Sequence, residues 1–303
     1  MAKLCVLGDF NIDLVLYLDR LPNPGETLNA NRFFEGPGGK GSNQAIAAAR
    51  LGADVRFLGA IGNDYYGQVA AQAWGDNGVN TDYLIQNDDY QTAMALINVD
   101  ANGDNTITVH QGANLRLTTG DIDAATGAIA EADIVMCTLG VSVDIVEYAF
   151  GIAKAQGTTT LLNPAPAVAL SDELLQLADY IIPNETELAV IAGAPVDGDN
   201  VTEQARQLLR RDDQTIIITL GADGARWVTR TDSAPVPTFS VDVVDTVGAG
   251  DAFNAGFAVA LAEGKSLADA LRFANANAAL SVQTIGAVAG MPQRSALEDF
   301  LAG

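Results

Sequence analysis

From residue 55 onward, short apolar and β-branched runs alternate with stretches of helical spacing, and that alternation leaves few architectures open. Residues 55–61, 134–138, 158–162, 180–182 and 215–220 read as strands. Residues 66–76, 143–155, 172–177, 185–191 and 202–210 read as helices, and the chain closes with helices near 252–263 and 267–282. Strands separated by helices cannot pair as hairpins. They form a mostly parallel sheet with helices on both faces, a doubly wound α/β arrangement. Ligands of such sheets sit beyond the carboxyl ends of the strands, so the loops there are where chemistry is to be sought.

Two regions break the alternation. Residues 11–18 with 27–34, and 92–99 with 105–109, read as short antiparallel ribbons. The second pair is joined by Asp100-Ala101-Asn102-Gly103-Asp104, a hairpin turn signal. The expectation is one α/β domain over residues 1–303, with a small β-sheet projecting from about 11–18, 27–35, 92–99 and 105–110. The apolar face of that sheet needs cover. It would serve as a lid over a substrate, as one half of a lid pair in a dimer, or as an ordinary surface hairpin.

Composition narrows the function. Thirty-eight acidic residues against 16 Lys and Arg give a net charge of −22. A field of that sign argues against nucleic acid or an anionic membrane as partner. No apolar run approaches the ~18–20 residues of a membrane helix. The N-terminal run at residues 4–7 is too short for a signal peptide, so a cytoplasmic protein is expected. Cys5 and Cys137 lie in apolar runs and read as buried thiols. The single His110 leaves no histidine metal cluster.

The stretch Asp245-Thr246-Val247-Gly248-Ala249-Gly250-Asp251 precedes an alanine-rich helical run. Small residues at a helix start leave N–H groups bare at the positive end of the helix dipole, a receptor for an anion. A carboxylate there repels phosphate, yet it has a use if Asp251 removes a proton from a hydroxyl that attacks a phosphoryl group. The plain alternative is a first-turn cap. Gly36-Pro37-Gly38-Gly39-Lys40-Gly41-Ser42-Asn43-Gln44 precedes a helix expected at 44–51. It lacks the acid about 20 residues on that a dinucleotide site requires, and Gly41 stands where a P-loop needs Ser or Thr. What remains is a glycine turn that a polar ligand can approach closely, with Lys40 and Asn43 as donors, or Asn43 as a cap. Asn11 and Asp13 follow the first strand, and Asp13 in an apolar ribbon suits the hydroxyls of a polyol or a plain strand edge. Asn163-Pro164-Ala165-Pro166 and Asn184-Glu185-Thr186-Glu187 each follow a strand and precede a helix. Asn184 and Glu187 suit contact with a metal–phosphate, or plain capping. Thr219-Leu220-Gly221-Ala222-Asp223-Gly224 is a glycine-rich turn that could face a nucleotide.

In this order, these segments resemble the ribokinase (PfkB) family of ATP-dependent sugar and nucleoside kinases over nearly the whole chain. The resemblance implies the ribokinase-like fold and a phosphotransferase acting on the primary hydroxyl of a small sugar. Ribose is the first expectation; fructose, a keto-deoxy sugar acid or a nucleoside are the alternatives. It implies that Asn11, Asp13, Gly39, Lys40 and Asn43 hold the sugar and that Asp251 is the base. The amides of Gly248, Ala249 and Gly250 would stabilise the phosphoryl charge. Asn184 and Glu187 would organise Mg²⁺-ATP, and Thr219, Gly221, Gly224 and Asn275 would line the nucleotide pocket. A monovalent cation, K⁺, would sit by Asp245, Val247, Ser281, Thr284 and Gly286, and the lid would pair across a homodimer. Three positions depart from the family pattern. Gly140 replaces a sugar-contacting Glu and so is expected to free space. Asn275 replaces a His of the nucleotide pocket. Gly290 stands where a side-chain oxygen near the cation is expected.

Overall fold

Thirteen strands divide between a nine-stranded and a four-stranded sheet in the computed structural model, which describes residues 1–303. In chain order the first elements are β1 (Lys3–Leu7), β2 (Asn11–Tyr17), β3 (Arg32–Gly38), α1 (Lys40–Arg50), β4 (Asp54–Gly62), α2 (Tyr65–Asp76), β5 (Asn80–Asn87), β6 (Met94–Val99) and β7 (Asn105–His110). The short helices α3 (Thr119–Ala124) and α4 (Thr126–Glu131) lead into β8 (Ile134–Thr138), α5 (Val143–Gln156), β9 (Thr159–Asn163), α6 (Asp172–Leu177) and β10 (Tyr180–Ile181). Then come α7 (Glu185–Ala192), α8 (Val201–Leu208), β11 (Thr215–Thr219), β12 (Ala225–Val228) and β13 (Ser233–Val236). The chain ends with α9 (Ala249–Ala262), α10 (Leu267–Ser281), α11 (Ala287–Gly290) and α12 (Arg294–Ala302).

The large sheet runs β13-β12-β11-β10-β9-β8-β1-β4-β5. Strands β11 through β5 in that order are all parallel, while β12 and β13 close one edge antiparallel. Alternate residues of β1 enter opposite cores: Val6 packs on the side of α1, α9 and α10, whereas Cys5 and Leu7 pack on the side of α5. Both faces are covered, which is why the central strands are apolar throughout rather than alternating. Cys5 and Cys137 are free, buried thiols. The strands β5, β12 and β13 were not expected from the sequence. They lie at the two sheet edges, where half-exposed strands mix polar with apolar residues and carry no continuous apolar run.

The small sheet runs β3-β2-β6-β7, with β2 and β6 parallel and both outer pairs antiparallel. Its first ribbon differs from expectation. The partner of β2 is Arg32–Gly38, not 27–34, because the register sets Asn11 opposite Gly38 and Tyr17 opposite Arg32. The glycine-rich end reads as a turn in sequence, but here it is strand, since Asp13 fills the space above Gly38: a Cβ there would lie 2.2 Å from Asp13 Oδ2. Along the face that carries Asp13, Val15 neighbours Phe34 and Ile97, and Ile97 neighbours Ile107. Ile107 is 57% exposed, so part of this apolar face is bare. No helix is long and apolar enough to cross a membrane.

Trp74 of α2 ties the core to the cleft. It is fully buried, lies edge-on to Phe10 with centroids 5.4 Å apart and packs on Phe57 at 4.7 Å. Its indole N–H donates to Ser42 Oγ at 3.0 Å. Burial of such a ring is worth roughly 3–5 kcal/mol against alanine. Here it fixes both the loop after β1 and the start of α1.

Candidate active site

Because β1, β8, β9, β10 and β11 are parallel, their carboxyl ends form one rim. The rim is continued by Asp9, Gly140, Asn163, Asn184 and Thr219, so five of the loops singled out in the sequence meet there. Helix α9 and helix α1 pack together against the same region.

Asp251 lies in the first turn of α9, 6% exposed. Gly248 is the N-cap, in the left-handed region at φ 81, and no side chain caps the helix. The N–H groups of Gly248, Gly250 and Asp251 have no protein partner, while that of Ala249 donates to Thr246 O at 3.2 Å. Asp251 itself is not a cap. Its carboxylate turns to α1, where Asn43 Nδ2 donates to Oδ2 at 2.9 Å and Gln44 Nε2 donates to Oδ1 at 3.0 Å. Gln44 Nε2 also reaches Asn163 Oδ1 at 2.9 Å. Burial raises the Asp251 carboxyl above its ordinary value, and Lys40, Asn43 and Gln44 oppose that rise. The result is a desolvated carboxylate held in one orientation beside bare amides, the arrangement a general base for a hydroxyl needs.

Helix α1 begins at Lys40, four residues before the sequence-based start. The glycine turn shrinks to Gly39, at φ 89, whose missing Cβ would sit 2.7 Å from Asn11 N and Phe10 Cα. Asn43 is therefore inside the helix rather than capping it, and its side chain is free to reach Asp251. Lys40 is held charged, its pKa raised first by Asp251 and then by Glu187, Asp9 and Asp13. Burial, with help from Asp9 and Asp251 and against the pull of Lys40, pushes Asp13 up to about 7.

Asp13→Asn is expected to raise the thermal stability of the ligand-free protein. A carboxyl whose folded pKa lies above its unfolded value binds more protons when folded. Its charged form therefore costs folding free energy above about pH 7, and that cost fades as pH falls towards the unfolded value near 4. Thermal unfolding should show the variant ahead near pH 8 and level with the parent near pH 4. No gain near pH 8 would contradict this electrostatic picture.

After β10, Asn184 and Glu187 form a reciprocal cap. Asn184 Oδ1 accepts from Glu187 N at 2.8 Å and Glu187 Oε2 accepts from Asn184 N at 2.9 Å. The capping alternative thus describes how both side chains are arranged. Burial raises the Glu187 pKa, and Lys40 and Asp251 both act on it, so it lies towards the site. Thr219 bridges to Asn184 across β10 and β11. Gly221 and Gly224 both have positive φ, and a Cβ on Gly224 would meet Val236 O at 2.3 Å. Asn275 is buried, and its amide donates to Val236 O at 3.1 Å and Pro237 O at 3.2 Å, so it braces the wall behind that turn. In the loop before α9, Asp245 accepts from Val247 N at 3.0 Å and from Gly286 N at 2.8 Å. A Cβ on Gly290 would lie 2.6 Å from Ser281 O and 3.5 Å from Thr284 O. Two carbonyls thus lie beside the place that a side chain at 290 would occupy.

Residues 1–294 match the profile described as pfkB family carbohydrate kinase. The chain belongs to the pfkB carbohydrate kinase family. It is 40% identical, over 98% of its own length, to a bifunctional ribokinase/ribose-5-phosphate isomerase A of Fructilactobacillus sanfranciscensis, of which it spans 56%. It is 40% identical to a ribokinase of Staphylococcus aureus across 96% of each chain. Among solved structures, the ribokinase of Arabidopsis thaliana complexed with ribose and ATP superposes with a TM-score of 0.91 at 31% identity, covering 100% of both chains.

Three residues to which the motif reading gave no role support this pfkB site. Gln44 and Asn163 orient Asp251. Asn114, fully buried, accepts from Phe10 N at 3.2 Å and donates to Phe10 O at 3.0 Å and Asn11 Oδ1 at 3.1 Å, so it sets the orientation of Asn11. Its only signal in sequence was a polar residue in the turn Gly112–Arg116, which is weak. The expectation that Gly140 frees space fails: a Cβ there would lie 2.2 Å from Asp9 Cγ, so the space is already taken by a carboxylate.

Proposed function

We propose that the chain is an ATP-dependent ribokinase that transfers the γ-phosphoryl group to the primary hydroxyl of D-ribose, giving ribose 5-phosphate. The observation that carries the reading is the buried Asp251 carboxylate beside the partnerless amides of Gly248, Gly250 and Asp251. Asn43 and Gln44 hold that carboxylate through their amide nitrogens. Asn11, Asp13, Gly39 and Lys40 complete the sugar side.

In the proposed reaction Asp251 takes the hydroxyl proton as the sugar oxygen attacks the γ-phosphorus. The bond to the bridging oxygen breaks, ADP leaves, and the amides hold the charge that develops. No phosphoenzyme is needed, since no His or Cys stands beside the amides. Mg²⁺ would arrive on the nucleotide, with Asn184 and Glu187 facing it. Bound Mg²⁺ supplies neutralisation of the phosphate charges. Thr219, Gly221, Gly224 and the wall braced by Asn275 would take the nucleoside.

Charge favours a neutral sugar over a sugar acid. Asp9, Asp13, Asp251 and Glu187 surround one cation, Lys40. Arg32 stacks on Tyr17 and Arg116 on Tyr90, so neither adds to it. The reading is tested by ATP consumption with Mg²⁺ and K⁺ against ribose, deoxyribose, fructose, keto-deoxygluconate and nucleosides. Ribose should give the highest kcat/KM; another substrate ahead by tenfold would replace it.

The carbonyls of Ser281 and Thr284, with Asp245, Val247 and Gly286, support a K⁺ site beside the anion-binding turn. Turnover should therefore be higher in K⁺ than in tetramethylammonium at equal ionic strength, and equal rates would refute the site. The partly exposed apolar face running from Val15 to Ile107 supports a lid that pairs with a second copy in a homodimer. Free, buried thiols and the use of ATP fit a cytoplasmic setting.

A further inference from the structure

Helix α1 has no cap from its own chain neighbour, Gly39. Its first three amides instead all go to one remote residue. Lys40 N donates to Asp9 Oδ2 at 3.3 Å, Gly41 N donates to Asp9 Oδ1 at 3.0 Å, and Ser42 N donates to the Asp9 backbone carbonyl at 2.9 Å. The remaining lone pairs of the carboxylate accept from Thr138 Oγ1 at 3.1 Å and Asn11 Nδ2 at 3.3 Å. Asp9 is 5% exposed, and every acceptor position on it is filled by protein. It is therefore no ligand for the sugar itself. A carboxylate on bare helix amides is strongly held, by charge-assisted bonds and the helix dipole together.

The seat of this carboxylate is Gly140. A Cβ there would lie 2.2 Å from Asp9 Cγ, 2.4 Å from Oδ1 and 2.5 Å from Cβ. Residues 9 and 140 thus compete for one volume, and only one of them can carry a side chain without displacement.

We propose that Asp9, seated on Gly140, is a positioning residue that caps α1 from outside and so fixes where Lys40, Asn43 and Gln44 stand relative to Asp251. Those three side chains occupy the first two turns of the same helix. A tilt of its N-terminus moves the sugar-facing groups together relative to Asp251 and leaves the nucleotide loops that follow β10 and β11 in place. The inference rests on the ribokinase reading. If the parent enzyme shows no ribose-dependent ATP consumption, that reading fails. If the parent is active and the variants below behave as the parent, only the inference fails.

The test is steady-state kinetics at both substrates with thermal unfolding alongside. Asp9→Asn keeps the shape but turns an amide donor towards donors, so the KM for ribose should rise about tenfold or more while the KM for ATP holds. Gly140→Ala should do the same in the parent. Asp9→Gly is damaged by loss of the cap, and adding Gly140→Ala to it should cause no further loss, because the clash is gone. If Gly140→Ala alone does not fold, folding of the Asp9→Gly, Gly140→Ala pair supports the proposal, and failure of the pair overturns it. A role in stability alone would lower the unfolding temperature and leave the ribose KM of the folded enzyme unchanged. That outcome, or a Gly140→Ala penalty of equal size in both backgrounds, overturns the proposal.

Discussion

Asp251→Asn is expected to cut turnover by about 10²–10⁴-fold while sugar binding stays nearly unchanged, the usual worth of a general base. The substitution preserves shape. Its new amide would face one of the donors that the carboxylate now accepts, Asn43 Nδ2 or Gln44 Nε2. Gln44 also holds Asn163 Oδ1, so it keeps its orientation; Asn43, whose buried Oδ1 has no partner, can flip to accept from the new amide. The pocket should therefore survive and the loss should fall on chemistry. Calorimetric titration with ribose checks the first part and ADP release the second. The parent should also lose activity on the acid side as Asp251 protonates, at a pH above the usual carboxylate range because burial raises its pKa. Turnover in the variant close to that of the parent would remove Asp251 from the mechanism.

The candidate base was legible in sequence because the pattern that suggests it is local: glycines, a helix start and an acid lie within seven residues. The parallel sheet was legible for a similar reason, since each strand and each helix carries its own period. Asp9 was not. Its meaning depends on Gly140, far along the chain, and on amides of Lys40 to Ser42, and no local pattern announces a cap supplied from elsewhere. Asn114 is the same case: a buried amide that pairs with Phe10 and Asn11 looks in sequence like any turn residue. Residues 36–38 misled in the opposite direction. Glycine signals a turn by its backbone freedom, but Gly38 is glycine because the Asp13 side chain lies where a Cβ would go. Where glycine is required by a neighbour rather than by φ, only the fold reveals it.

Lys40→Met should lower turnover at neutral pH by about 10²–10³-fold, within the usual worth of a general base, because a protonated Asp251 cannot take the hydroxyl proton. Methionine keeps the apolar stem, so packing changes little. What disappears is the one positive charge facing Asp9, Asp13, Asp251 and Glu187. Lys40 is the largest influence opposing the burial of Asp251, so without it the Asp251 pKa climbs further and less of the base is ionised at neutral pH. The loss should therefore shrink as pH rises, and the acid limb of the rate profile should move to higher pH. The same ammonium also offsets the repulsion between these carboxylates and the incoming phosphates, and alkaline pH does not restore that part. Lys40→Arg separates the two contributions. A guanidinium keeps the charge and should hold the acid limb near its parent position, but its planar fork does not fit the place of a compact ammonium, so turnover recovers only in part. Should Lys40→Met leave the acid limb where the parent has it, the charge of Lys40 does not tune the base, and its role reduces to contact with the substrate.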